Sequence, residues 1–351
     1  RRSSDLPPYS SAGFTGIPVD AVGTEYYAVT WRVIVYTVIG IVAVQDNTNV
    51  TVKFPAGKTI SVTYNSRTYG AGDTLSLTLD SYSTFQISHE DENTDRDLTG
   101  TKISSDKPVS VFSGQSVTWL HVNNRGSPDD LVEQLMPTNT WGKYFVTISR
   151  AGRTVGDIFR FVAKEDNTQV NITGMNGADQ VTFTLFTAGS IAEKTSTSMN
   201  HMKIVSDKPI LVAQYLSSIR DPVIPHDASM TMIIPVEQFG SDYTFSTPAS
   251  HGSEYSFTHY LMIVTEHSKR GGIMVNGTAE STSGWTTIPG TDPQLSAKSM
   301  SVSEGVHRVR HTSPNATFGG YLYGYGTDTT NRFGEIIMSY ALPVGDRKSV
   351  V

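Results

Sequence analysis

Ile41–Val50 (IVAVQDNTNV) and Phe161–Val170 (FVAKEDNTQV) are two copies of one pattern, 120 residues apart. In each, a β-branched run leads into Asp-Asn-Thr and a second such run follows. Asp and Asn side chains bond nearby backbone groups and tolerate the left-handed region, so each copy reads as a hairpin. Tyr260–Gly277 (YLMIVTEHSKRGGIMVNG) keeps both strands and replaces the turn with Ser-Lys-Arg-Gly-Gly. The strand that decides one copy therefore decides three.

Outward from the hairpins, each paragraph of sequence opens and closes alike. The openers are Gly23–Trp31 (GTEYYAVTW), Gly142–Ser149 (GKYFVTIS) and Gly240–Thr247 (GSDYTFST), a glycine followed by an aromatic strand. The closers are Lys102–Gly114 (KISSDKPVSVFSG), Lys203–Tyr215 (KIVSDKPILVAQY) and Arg308–Tyr321 (RVRHTSPNATFGGY). Proline lacks an N–H, so Pro108, Pro209 and Pro314 are expected at the first residue of a strand or on an edge. They also push Lys107, Lys208 and Ser313 into extended geometry. Leu131–Leu135 (LVEQL) and Pro235–Phe239 (PVEQF) read as matching junctions before the second and third units.

Fixed-period similarity marks a repeat architecture, and units of about 100 residues with frequent turn signals have the size of a β-sandwich. A propeller blade would need only about 40–50 residues. The expected fold is all-β: three tandem related β-sandwich-like units with an extended N-terminal arm. The boundaries are 1–22 for the arm, then 23–130, 131–232 and 233–351. Helical signal is confined to Leu131–Leu135 and a short stretch near Ala192.

Composition narrows the function classes. A net charge of −6 with 17% charged residues gives no basic footprint for nucleic acid. The absence of cysteine removes disulfides and thiolate chemistry, and a core drawn from 38% hydrophobic residues has to hold the chain. The longest apolar run, Val33–Val44, is too short for a membrane span of about 20 residues and reads as a buried strand pair. Sequons at Asn49, Asn171, Asn276 and Asn315 point to a glycosylated, secreted protein. Arg1-Arg2 reads as a trimmed end whose export signal is missing.

No nucleophile, phosphate-loop or dinucleotide motif is present, so an enzyme and a cofactor are not expected. His307 and His311 lie on one strand face about 13 Å apart, too far for one metal, and read as solvent-exposed. Asp91, Asn93, Asp95 and Asp97 place oxygens at alternating positions, a weak calcium candidate. They lack the glycine and terminal Glu of a calcium loop, and a solvated acidic turn is the plainer reading. Trp119 and His121 stand in an irregular loop, where the Trp is expected to plug a seam between units. Tyr321, Tyr323 and Tyr325 share one strand face, expected to be buried against the first unit. In the arm, Leu6, Tyr9, Phe14 and Ile17 are apolar anchors suited to strand addition on a neighbouring subunit, against the plainer outcome of folding back.

Several stretches together resemble the IgGFc-binding protein N-terminal domain family. They are Asp97–Gly114, Leu131–Phe145, Lys203–Leu216, the run from Asp221-Pro222 through Pro235-Val-Glu-Gln238, and Phe318–Gly324 (FGGYLYG), in the family's order. The resemblance covers roughly residues 20–345 and implies a region of large mucin-like secreted proteins, often followed by von Willebrand type D modules. Members usually carry Cys and His before Leu-Val-Glu-Gln. Here Asp129-Asp130 stand instead, so the segment forms no disulfide. No residue set for Fc binding transfers. The expected function is a non-catalytic extracellular scaffold or adhesion module, self-assembling or part of a secreted matrix, mucus or fibre. Its partners are proteins or itself, without nucleic acid or membrane insertion. The alternative is a soluble recognition module for glycans or immunoglobulin-like proteins.

Overall fold

A computed structural model describes residues 13–32, 36–89, 97–118, 120, 129–150, 156–178, 180–196, 200–217, 227–249, 255–328 and 337–344. The chain is all-β, and among the described residues only short 3-10 turns stand beside its strands. Its first part holds β1 (Gly23–Tyr27), β2 (Thr37–Ala43), β3 (Thr48–Lys53), the small hairpin β4 (Val62–Tyr64) and β5 (Arg67–Tyr69), β6 (Thr74–Leu79), β7 (Thr84–His89), β8 (Lys102–Thr118) and β9 (Asp129–Gln134). The described part of Val33–Val44 is thus the single strand β2 rather than a strand pair.

The second part holds β10 (Gly142–Thr147), β11 (Ile158–Ala163), β12 (Thr168–Thr173), β13 (Val181–Leu185), β14 (Ile191–Thr195), β15 (Met202–Leu216) and β16 (Ser229–Met232). The third holds β17 (Asp242–Ser246), β18 (Tyr255–Glu266), β19 (Ile273–Val275), β20 (Thr278–Ala279), β21 (Thr286–Thr287), β22 (Leu295–Val302), β23 (Val306–His311), β24 (Phe318–Asp328) and β25 (Ile337–Val344). The two stretches read as helical, Leu131–Leu135 and that near Ala192, fall mainly in β9 and β14: inward packing overrides their weak helical preference.

Pairing is antiparallel and follows one order twice. The first sheet runs β6-β3-β8-β2-β7 with β1 and β9 also on β8; the second runs β13-β12-β15-β11-β14 with β10 and β16 on β15. The long central strand serves two halves. Up to Ser105 it pairs with β3, and from Val109 onward with β2 and then β9. Its pairing with β1 skips from Ser104 to Val109, and β15 skips from Val205 to Ile210 against β10.

Pro108 and Pro209 sit in that change-over. They lie inside a long strand, not at its first residue, because no ladder partner there needs their missing N–H. In the third part the same orders appear in two separate sheets. The order β17-β23-β19-β20 parallels β1-β8-β3-β6, and β22-β18-β24-β25 parallels β7-β2-β8-β9. Pro314 lies in the gap between β23 and β24, so the central strand is cut where the others bend.

The two repeated motifs bind each other. Asn47 and Asn167 take positive φ in their turns, and Thr48 and Thr168 hydroxyls donate back to the carbonyls of Gln45 and Glu165. The Lys107 ammonium donates to the carbonyls of Asp46 and Asn47, and Lys208 does the same at Asp166 and Asn167. Asp106 and Asp207 accept from the backbone N–H of Asn49 and Gln169. The Asp-Lys-Pro stretch is therefore the cap of the Asp-Asn-Thr hairpin.

Leu131–Leu135 and Pro235–Phe239 prove not to be equivalent. Val132–Gln134 is in strand β9, whereas Val236–Gln238 is a 3-10 turn after β16. The structural match of Pro235 is Pro137, which opens the turn Thr138–Thr140. Both prolines pack on the next opener: a Cβ on Gly23 would come within 2.5 Å of Pro137, and one on Gly142 within 2.3 Å of Pro235. Only glycine fits there.

Candidate functional site

The faces between consecutive parts carry most of the unusual chemistry. On β11, Phe159 and Phe161 point into the second part's own core, whereas Ile158, Arg160 and Val162 point out toward the first part. Leu211, Ala213, Tyr215, Met230 and Met232 join them, all buried in the first core. The arrangement recurs one step on. Met262, Val264, Leu295, Ala297, Tyr321, Tyr323 and Ala341 of the third part are buried with the second part's inner residues.

Arg160 locks the first of these interfaces. It is 1% exposed, with its guanidinium 4.1 Å from the Trp31 ring centroid. Its Nη1 donates to the Thr30 carbonyl, to Asp97 Oδ2 at 2.9 Å and to Thr99 Oγ1, while Nη2 reaches Glu193. The Tyr215 hydroxyl donates to the same Thr30 carbonyl. Lys58 also contacts Asp97 Oδ2 at 2.8 Å. Burial alone would raise the Asp97 carboxyl, but Arg160 and Lys58 reverse this and hold it well below the usual range. Asp97 is thus committed to two cations, which is a reason against its use as a calcium ligand; Asp91, Asn93 and Asp95 lie outside the described residues. Among the described residues no group of three His, Asp or Glu side chains could hold a metal.

Tyr321, Tyr323 and Tyr325 do share a face, but it packs on the second part, not the first, because each part docks on the one before it. Arg150 lies 5.3 Å from the Tyr323 ring centroid, and the Tyr321 hydroxyl accepts from the Ile234 N–H. His307 and His311 are buried rather than exposed: the pleat of β23 turns 307, 309 and 311 inward together. His307 stacks on Phe245 and donates to the Ser303 carbonyl, and His311 donates to the Lys269 carbonyl. Trp119 and His121 lie outside the described residues.

Glu133 sits where β9 meets β16. It is 2% exposed, the Met232 N–H donates to its carboxyl, and its Oε1 has no hydrogen-bond partner among the described residues. Burial pushes this carboxyl well above the ordinary 4.5. A raised value means the fold favours the protonated form, so stability is fully present below the unfolded value and falls as pH rises toward the folded one. Glu133→Gln should therefore melt higher than the parent at about pH 8, with the gap closing toward about pH 4.5. Thermal melts across that range check it; a gap independent of pH would sink the assignment.

Asn49, Asn276 and Asn315 are exposed and Asn171 is half-buried. Phe14 packs edge-on against Phe112 at 5.4 Å, and Ile17 exchanges backbone hydrogen bonds with the Gln134 side chain. Thr15 donates to the Pro343 carbonyl, so Thr15 and Ile17 tie the first and third parts together. Phe14 and Ile17 thus have partners within the chain, and Leu6 and Tyr9 lie outside the described residues.

Among the described residues, one large face is left largely open, with Phe14 against its Phe112. The outer side of β7-β2-β8-β9 carries Val38, Val42, Phe112 and Val132, all half-buried, around a hollow of about 640 Å³. In register these positions match the covered face of the second part: Val38 and Val42 correspond to Ile158 and Val162, and Phe112 to Ala213. Gly40 and Gly114 stand where Arg160 and Tyr215 stand, which makes the hollow. The sequence shows the repeat that gives this match, but not which copy is left bare.

The family model for IgGFc binding protein matches residues 12–324. The human IgGFc-binding protein is 25% identical over 325 residues, covering 88% of this chain. The chain spans about 5% of that relative's length. Among solved structures, the viral chemokine binding protein R17 of rodent gammaherpesvirus Peru is 8% identical over 97% of this chain and 92% of its own, with a TM-score of 0.14. Red sea bream transglutaminase is 12% identical over 61% of this chain and 31% of its own, at 0.13. Scores this low carry no argument about fold.

Proposed function

This chain belongs to the IgGFc-binding protein family, and from that we propose that it is a non-catalytic extracellular scaffold module, built of three copies of one β-sandwich unit. The observation that carries the reading is the family match over residues 12–324 together with interfaces that bury the outer faces of the second and third units, each on its predecessor. Such packing supports one stiff body that presents broad β-surfaces to protein partners. The exposed sequons at Asn49, Asn276 and Asn315 support a secreted, glycosylated setting in a matrix, mucus or fibre.

A second reading, a soluble recognition module, draws on the 25% identical relative whose name states that it binds IgG Fc. Surface-immobilised Fc and a glycan array separate the two. Saturable binding to Fc at about micromolar Kd or tighter would make this a recognition module. The scaffold reading predicts no Fc or glycan binding, with affinity only for matrix proteins or for itself.

A further inference from the structure

We propose that the uncovered outer face of the first unit receives the open end of the third unit of a second copy of this chain, so that copies join head to tail. The proposal rests on the scaffold reading and names its partner. It follows from using one interface twice within the chain. The faces containing Ile158, Val162 and Met230, and then Met262, Val264 and Tyr323, are each buried on the preceding unit. Within the described residues, such a row leaves the face of the first unit and the end of the third without a partner unit.

The unused face is that of Val38, Val42, Phe112 and Val132. The unused end lies beyond β17. In the first unit the segment after β1, Thr30–Trp31, takes Arg160 and Tyr215; in the second, Arg150 after β10 takes Tyr321 and Tyr323. The matching segment of the third unit starts at Thr247, whose N–H donates to the Gly305 carbonyl. Beside it Ala249 is exposed and Val306 is 72% exposed.

An exposed β-branched side chain stands at one end and an apolar hollow at the other. Gly40 and Gly114 open the hollow, so the incoming end supplies the bulk that Arg160 and Tyr215 supply inside the chain. Because face and end differ, the contact is heterologous and does not close at a dimer. Phe14 packs on Phe112 of this face, and Val38, Val42 and Val132 stay half-buried.

Light scattering across concentration tests this on the full chain, with Val38→Glu to block the face and Val306→Glu to block the end. Thermal melts confirm that both variants fold. The parent should grow in mass with concentration past a dimer. Each variant should need at least about tenfold higher concentration to associate. An equimolar mixture of the two should stop at a dimer, since it has one good face and one good end. A parent that stays monomeric, a Val306→Glu chain that assembles like the parent, or a mixture that stays monomeric overturns the proposal. So does a parent that assembles only after residues 1–12 are removed, since the chain's own arm would then be the occupant. A monomeric parent that captures no matrix proteins would sink the scaffold reading as well, whereas one that binds matrix proteins leaves that reading standing.

Discussion

Arg160→Ala is expected to destabilise the protein by about 3–5 kcal/mol, because it leaves the buried Asp97 carboxylate short of its main partner. Asp97 is 4% exposed and cannot regain the loss from water. The change also removes the guanidinium that bridges Trp31 and Tyr215, so the junction of the first two parts loosens. Denaturant titration measures it. Arg308→Ala breaks an exposed pair with Asp242 and should leave the midpoint unchanged, since exposed ion pairs contribute little. An Arg160→Ala midpoint equal to the parent's would mean that Lys58, with the donors of Thr30 and Thr99, satisfies Asp97. The pH sign is fixed by the same contact. Asp97 is depressed in the fold, so its contribution is present above the ordinary value near 3.8 and is lost as pH falls below it. Acid should open this junction, whereas for Glu133 the stabilising direction is the reverse.

Tyr323→Ala should cost about 3–5 kcal/mol, the range for emptying a large buried aromatic site. The ring is 0% exposed, stacks on Tyr260, lies tilted against Tyr325, and faces Arg150 of the second part. The loss should appear as release of the third part, seen as new protease cleavage after Thr247 while the first two parts stay resistant. Tyr323→Phe keeps the ring and should cost far less. A Tyr323→Ala protein with a parental midpoint and parental cleavage would show that this interface is not holding the units together.

The hairpin turns were legible because their causes are local. Asp-Asn-Thr needs only its own side chains and a tolerated left-handed Asn, and Asn47 and Asn167 adopt it. The all-β class and the matching openers and closers were legible for the same reason: alternation and turn chemistry repeat in the chain itself. The equivalence of Pro235 was not, because Val-Glu-Gln forms a strand after Leu131 and a 3-10 turn after Pro235. The same three letters take whichever backbone their neighbours leave open.

What the sequence by itself determined is the all-β class, the Asp-Asn-Thr hairpins with their matching openers and closers, and the absence of any disulfide. What only the tertiary structure decided is how one unit meets another. Arg160 reads as an ordinary strand residue until Trp31, Thr30 and Asp97, more than 60 residues away, close around it. His307 and His311 read as surface residues until β17 and the turn at Lys269 cover them. Val38 and Ile158 have nearly the same local sequence setting, yet one stays half-exposed and the other is buried. A strand's alternation fixes which side chains share a face, but burial depends on what that face touches, and that partner is chosen by the packing of distant chain segments.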